Sequence, residues 1–182
     1  MLILLEIAIA WLYSHFFEWF VHKKFLHNKN RRFAFKNHFG NHHRISRKNF
    51  MIDDFTSRST LNFEKKYLIL AVVLHLPLVF LFPYAFITLI LCAITYYIIH
   101  KQAHRDMRWA RRNVPWHYEH HLGIDQNCNW GVRLPIVDII MGTRKHFINT
   151  PQEKRMYIIA YRKFYMEKIN ETRSRSTSGK QP

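Results

Sequence analysis

Residues 67–99 carry no Asp, Glu, Lys or Arg, and Pro77 and Pro83 interrupt this 33-residue run. A single helix of that length would extend about 50 Å, well past the ~30 Å hydrocarbon core of a bilayer. A proline inside a helix removes a hydrogen bond and kinks or ends it. A hairpin turning near Phe82-Pro83-Tyr84, with arms of about 16 residues each, resolves the excess length. The arms are slightly short, so Lys65, Lys66 and Lys101 are expected to snorkel at their ends.

A second apolar stretch opens the chain. Met1–Val21 is long enough for about 32 Å of helix, and its only charged residues are Glu6 and Glu18. All 28 Lys and Arg lie in 23–66 and 101–180, so a mean hydropathy of −0.24 averages over a sharp separation. The basic run from Lys23 puts that end of the first helix in the cytoplasm by the positive-inside rule, with the N-terminus on the other side. A positive n-region and an A-x-A-like cleavage site are both missing, so this helix is expected to be retained rather than removed as a signal peptide. The net charge of +16 would by itself suggest nucleic acid as a partner. Here the charge follows membrane topology, and no nucleic-acid role is expected. The two cysteines, Cys92 and Cys128, give no disulfide framework and suit a reducing cytoplasmic face.

Ten of the thirteen histidines fall in two 22-residue windows. His22 and His27 form H-x4-H; His38, His42 and His43 form H-x3-H-H; His100 and His104 form H-x3-H; His117, His120 and His121 form H-x2-H-H. On α-helices, residues three and four apart share a face, so His100 projects with His104, and His117 with His120 and His121. His38 pairs with His42 in the same way, while His43 turns about 100° aside toward a second metal. His22 and His27, five apart, suit a helix end followed by a turn. Neutral imidazole is the commonest metal-binding side chain, and ten exceed what one ion can use, so two metals are expected. The two windows can share metals only if 67–99 doubles back. An all-imidazole set could hold zinc, iron, copper or nickel. The H-E-x-x-H arrangement of zinc hydrolases is absent, and Glu119, beside His120, points elsewhere. Ten neutral ligands around two divalent ions better suit a redox pair that activates dioxygen.

These four motifs, in this order around an apolar hairpin, resemble those of the fatty acid hydroxylase superfamily, which includes sterol desaturases, C-4 sterol methyl oxidases and carotenoid hydroxylases. Glu18-Trp19-Phe20-Val21-His22 is similar to the family's lead into its first motif, and Asn129-Trp130-Gly131-Val132 to Asp138, ending Met141-Gly142-Thr143, is similar to the block after its last. The likeness covers residues 10–147. It implies a non-haem di-iron oxygenase that uses O2 and two electrons to hydroxylate or desaturate an unactivated lipid C–H bond. It implies metal-ligand roles for His22, His27, His38, His42, His43, His100, His104, His117, His120 and His121. His38 is the ligand carried least directly, because many members have a shorter second motif. Two irons are the implied cofactor, with zinc able to occupy the isolated site. The 182 residues hold no cytochrome b5-like haem domain, so electrons are expected from a separate cytochrome b5- or ferredoxin-like carrier.

The expected fold is thus an all-α integral membrane helical bundle. An N-terminal transmembrane helix and a transmembrane hairpin carry a cytoplasmic, histidine-rich dimetal cap. Residues 1–147 form the membrane-embedded domain, 148–170 a basic amphipathic interfacial helix, and 171–182 a disordered tail. Thr150-Pro151-Gln152-Glu153 reads as a capping box opening the helix at 151–169, and 134–141 as a short buried or interfacial helix. His15 and Glu18 share a face with His22 and are candidates to orient it; Asp125, Asn127, Asn129 and Asp138 could accept imidazole N–H bonds. His75 is expected to be a hydrogen-bonded helix-packing residue and His146 a surface residue. The leading function is hydroxylation of a fatty acyl or sterol-like lipid, with carotenoid ring hydroxylation as the nearest alternative. A non-redox zinc lipid hydrolase or a metal-binding structural membrane protein are the other classes.

Overall fold

The computed structural model describes residues 2–53, 59–166 and 169, with the side chains of 59–62 left aside. Two units divide the chain, Met1–His146 and Phe147–Pro182. Among the described residues every regular element is helical.

In the first unit, helix α1 spans Leu2–Val21 and continues without a break into a π-helical turn, His22–Leu26. Helix α2 (Arg32–Phe35) runs into a second π-helical segment, Lys36–His43, and then α3 (Arg44–Lys48). The long helices α4 (Ser59–Leu74) and α6 (Pro83–Ala103) flank a short α5 (Leu78–Leu81). Helices α7 (Met107–Asn113), α8 (Pro115–Leu122) and α9 (Ile136–Ile140) complete the unit.

The apolar run doubles back as expected, but the reversal is spread over 75–82 rather than turning tightly at Pro83. Pro77 ends α4 early, Phe82 leaves helical geometry at φ −142°, and Pro83 takes the first position of α6, where its missing N–H costs nothing. The two arms are therefore unequal: α4 has 16 residues and α6 has 21. Their register is fixed at the base, where Glu64 Oε1 accepts from His100 Nδ1 at 2.5 Å. Lys65 and Lys101 both lie over the Tyr97 ring there. At the opposite end Glu6 accepts a hydrogen bond from Ala85 N–H in the first turn of α6 (2.7 Å), a favourable place for a carboxylate. Helices α1 and α6 thus run the same way and α4 runs against them.

Two helices, Leu2–Leu26 and Pro83–Ala103, are long and apolar enough to cross a membrane. The outward stripe Ile87, Leu91, Ile94 and Ile98 on α6, at helical spacing, is matched on α1 by exposed Leu2, Leu4, Leu5 and Ile9. Apolar surface of that extent is stable against lipid rather than water.

The segment 128–143 docks onto the end of α1. Trp19 packs against Trp130 and Val137, and its indole N–H donates to Thr143 Oγ1 at 3.1 Å. Asp138, fully buried, accepts from Trp130 N (2.9 Å), Gly131 N (2.7 Å) and Thr143 Oγ1 (2.6 Å). Gly131 is required here, because a Cβ would run into the Leu134 carbonyl oxygen. In α9, Val137 and Asp138 face inward while Ile139, Ile140 and Met141 are exposed.

In the second unit, α10 (Pro151–Tyr161) opens with Thr150 Oγ1 accepting from Glu153 N at 3.2 Å, and the Glu153 carboxylate returns to Asn149 N at 3.2 Å. The helix continues as a π-helical turn over Arg162–Met166. The expected disordered tail, 171–182, lies outside the described residues.

Candidate metal centre

Helix winding decides which histidines meet. In an α-helix, residues five apart point about 140° away from each other. The π-helical turn after α1 closes an i→i+5 bond, His27 N to His22 O at 3.1 Å, and thereby stacks His22 and His27 on one side. An H-x4-H motif becomes a two-ligand face without an intervening loop turn. The second π-helical segment does the same for His38 and His43, five apart, whose Nε2 atoms lie 3.2 Å from each other. His42 is the residue turned aside. This reverses the pairing expected from α-helical periodicity, in which His38 went with His42. Helix α8, wound as ordinary α-helix, also divides its histidines, sending His120 one way and His117 and His121 the other, where the three were expected to share a face.

The result is two adjacent clusters. His22, His27, His38, His43 and His120 bring one nitrogen each within 4.8 Å of one another, and His42, His100, His104 and His121 do likewise. His117 borders the second cluster, with Nε2 3.2 Å from that of His104. The clusters touch where His43 stacks on His121, ring centroids 4.2 Å apart. All ten histidines singled out by their spacing are therefore gathered in one place, including His38, whose Nε2 is 2.9 Å from that of His22.

Fixed acceptors set the tautomers. His22 Nδ1 donates to Trp130 O (2.6 Å), His120 Nδ1 to Cys128 O (2.6 Å) and His104 Nδ1 to Met51 O (2.7 Å). A carbonyl oxygen only accepts, so these three rings carry their proton on Nδ1 and present a lone pair at Nε2. Two carboxylates act alike, Asp53 on His42 Nδ1 (3.1 Å) and Glu64 on His100 Nδ1 (2.5 Å). The Gln126 side-chain amide is 3.0 Å from His43 Nδ1. Left-handed backbone at Phe50 (φ 50°) and Met51 (φ 79°) aims the Met51 carbonyl and the Asp53 carboxylate inward.

None of these acceptors was singled out by the sequence. Of the residues proposed there to orient ligands, only Asn127 meets an imidazole of the clusters, that of His27. Glu18 instead binds the backbone N–H groups of Val132 and Arg133 and pairs with Arg133 Nε at 2.7 Å, holding the loop whose Trp130 carbonyl meets His22. His15 is buried against Trp11. Asp125 pairs with Lys145 (2.6 Å), and Asn129, at φ 56°, binds Arg144 and Lys145. Each is a folding contact of its own loop. Asp138 acts on the Trp130 loop rather than on a ring. Glu119 pairs with Arg144 at 2.6 Å, away from the clusters, and His146 is 80% exposed. A signal for two true acceptors did exist: Asp53 and Glu64 are two of the three acidic residues between Trp19 and Arg105.

Burial holds most of these imidazoles neutral. It pushes His38, His43, His104, His117, His120 and His121 well below the ordinary histidine range, with the neighbouring imidazoles adding to the effect. His27 falls to about 3 by burial, against an opposing contribution from the Asn127 side chain. Neutral rings are what a metal requires. Imidazole nitrogens at about 2.0–2.1 Å from one ion and at right angles lie about 3 Å apart. The Nε2–Nε2 separations of 2.9 Å (His22–His38) and 3.1 Å (His27–His43 and His120–His43) match that spacing. They converge lone pairs that have no reason to meet without a cation.

A cavity bounded by α1, α4 and α6 leads away from the clusters. His22, His38, His42 and His100 line one end, and Phe17, His75 and Phe86 the other, with largely apolar walls between.

A membrane protein with two imidazole clusters able to hold metal ions is thus defined by helices and site together. The family profile of the fatty acid hydroxylases (Fatty acid hydroxylase) matches residues 7–143, and the chain belongs to that family. No curated protein and no solved structure matches it.

Proposed function

We propose that the chain is an O2-dependent lipid oxygenase with two irons in its paired histidine clusters. The observation that carries this reading is the convergence of Nε2 atoms at the head of an apolar cavity, with tautomers fixed by carbonyl and carboxylate acceptors. Two bound irons would supply activation of O2, which with two electrons and two protons from outside gives one oxygen in the product and one in water. His22, His27, His38, His43 and His120 would hold one ion; His42, His100, His104 and His121, with His117 beside them, would hold the other. The apolar walls orient an acyl or sterol-like chain and keep water from the site. Glu64 and Asp53 keep two imidazoles in the ligating tautomer.

In this reading the clusters face the cytoplasm, α1 and the α4–α6 hairpin enter the bilayer, and a separate acidic electron carrier docks on the basic face around 23–48. A Lys29→Cys variant should react with a membrane-impermeant maleimide from the cytoplasmic side only.

The functional test is oxidation of a total lipid extract by purified protein with O2 and an electron donor, alongside metal analysis of anaerobically purified protein. Two irons and a product heavier by one oxygen, or lighter by two hydrogens, are expected. Stable zinc with turnover under argon would instead mark a hydrolase.

A further inference from the structure

The cavity wall carries a polar contact away from the histidine clusters, between α1 and the end of α4. His75 Nδ1 donates to Ala71 O at 2.7 Å, which fixes its proton on Nδ1 and leaves Nε2 as an acceptor. The Tyr13 hydroxyl donates to that Nε2 at 2.9 Å. The only phenolic proton is thus committed, and the Tyr13 oxygen keeps its lone pairs. Both residues line the cavity that begins at His22 and His100. Nine residues of α1 separate Tyr13 from His22, about 14 Å at 1.5 Å per residue. Phe17, which also packs on His75 at 5.2 Å, and Phe86 add apolar surface, while Ser14, which accepts from Arg133 Nη2 at 2.9 Å, also lines the cavity.

We infer that the Tyr13–His75 pair is a recognition point for a hydroxyl group, so that the lipid bound here is an elongated one bearing an alcohol about 14 Å from the carbon presented to the histidines. A hydroxyl can donate to Tyr13 Oη, whereas an ester or ketone oxygen, which only accepts, finds no donor in the pair. A plain hydrocarbon end gains nothing from the pair. The inference rests on the cavity being the lipid site of the proposed oxygenase, but it concerns binding and needs neither iron nor O2.

The test compares binding of two probes, dodecanol and its methyl ether, to the full chain in nanodiscs by equilibrium dialysis against empty nanodiscs. Wild type is expected to prefer the alcohol by about tenfold, which corresponds to one hydrogen bond. Tyr13→Phe leaves His75 Nε2 as a bare acceptor for the ligand hydroxyl, so its preference should be at least as large. The double variant Tyr13→Phe, His75→Phe should bind both probes alike, with the affinity of the ether unchanged. If the pair only ties α1 to α4, both affinities will move together across the series and the inference is overturned. Equal affinities in wild type overturn it without recourse to any variant. Failure of the oxygenase reading would show separately, as absent iron or absent product with the alcohol preference intact.

Discussion

His43 sits at the junction of the site, its Nε2 within 3.2 Å of those of His27, His38 and His120 and its ring stacked on His121. Residues with this many imidazole neighbours depend on neutrality, and replacing any one removes a converging lone pair from the set. His120→Ala or His104→Ala should lower bound metal and abolish turnover, whereas exposed His146→Ala should change neither; metal analysis and product assay on the three variants check this. Glu64→Gln keeps an acceptor for His100 but removes its charge. Loss of such a supporting partner costs about tenfold to a hundredfold in metal affinity, measurable by competition with a chelator. The ten imidazoles were legible as a set because their residue type is itself the signal. Their supports were not, because Trp130, Cys128 and Met51 contribute backbone carbonyls, which every residue possesses.

At the scale of elements, the two π-helical segments convert spacings that would splay ligands in an α-helix into converging pairs. The α-helical period applied to H-x3-H-H therefore assigned His42 and His43 to the wrong sides, although it handled His100 and His104 on α6 correctly. Winding state is set by what the segment packs against, and residues 36–43 carry no local mark of it. Deleting Lys24 shortens H-x4-H to H-x3-H. The turn should rewind as ordinary α-helix, in which residues four apart still share a face, so the first cluster's metal stoichiometry should be retained while α1 stays helical by circular dichroism. The hairpin was legible from charge and proline alone, since Pro77 and Pro83 mark its two breaks. Its inequality was not: α6 gains length by running past residue 99 to Ala103, where His100 belongs to the site rather than to the lipid.

Across the whole molecule, the clusters make acid a destabilising agent. His27 titrates at about 3 when folded and at 6.5 in its ordinary state, so the unfolded chain binds more protons between these values. Stability is full above pH 6.5 and should fall as pH drops through that window toward 3, more steeply once metal has left. Thermal melts of metal-free protein between neutral and acid pH test the sign; a flat profile would contradict it. Neither cluster is built from one histidine window, since His120 completes a set begun at His22 and His42 completes one begun at His100. During synthesis the first window leaves the ribosome long before the second. Each nascent chain therefore exposes five imidazoles that cannot yet form either finished site. If the clusters bind metal as proposed, neither site could be completed before the second window has emerged and folded beside the first, and a chain truncated before residue 100 would hold metal less tightly than the full one.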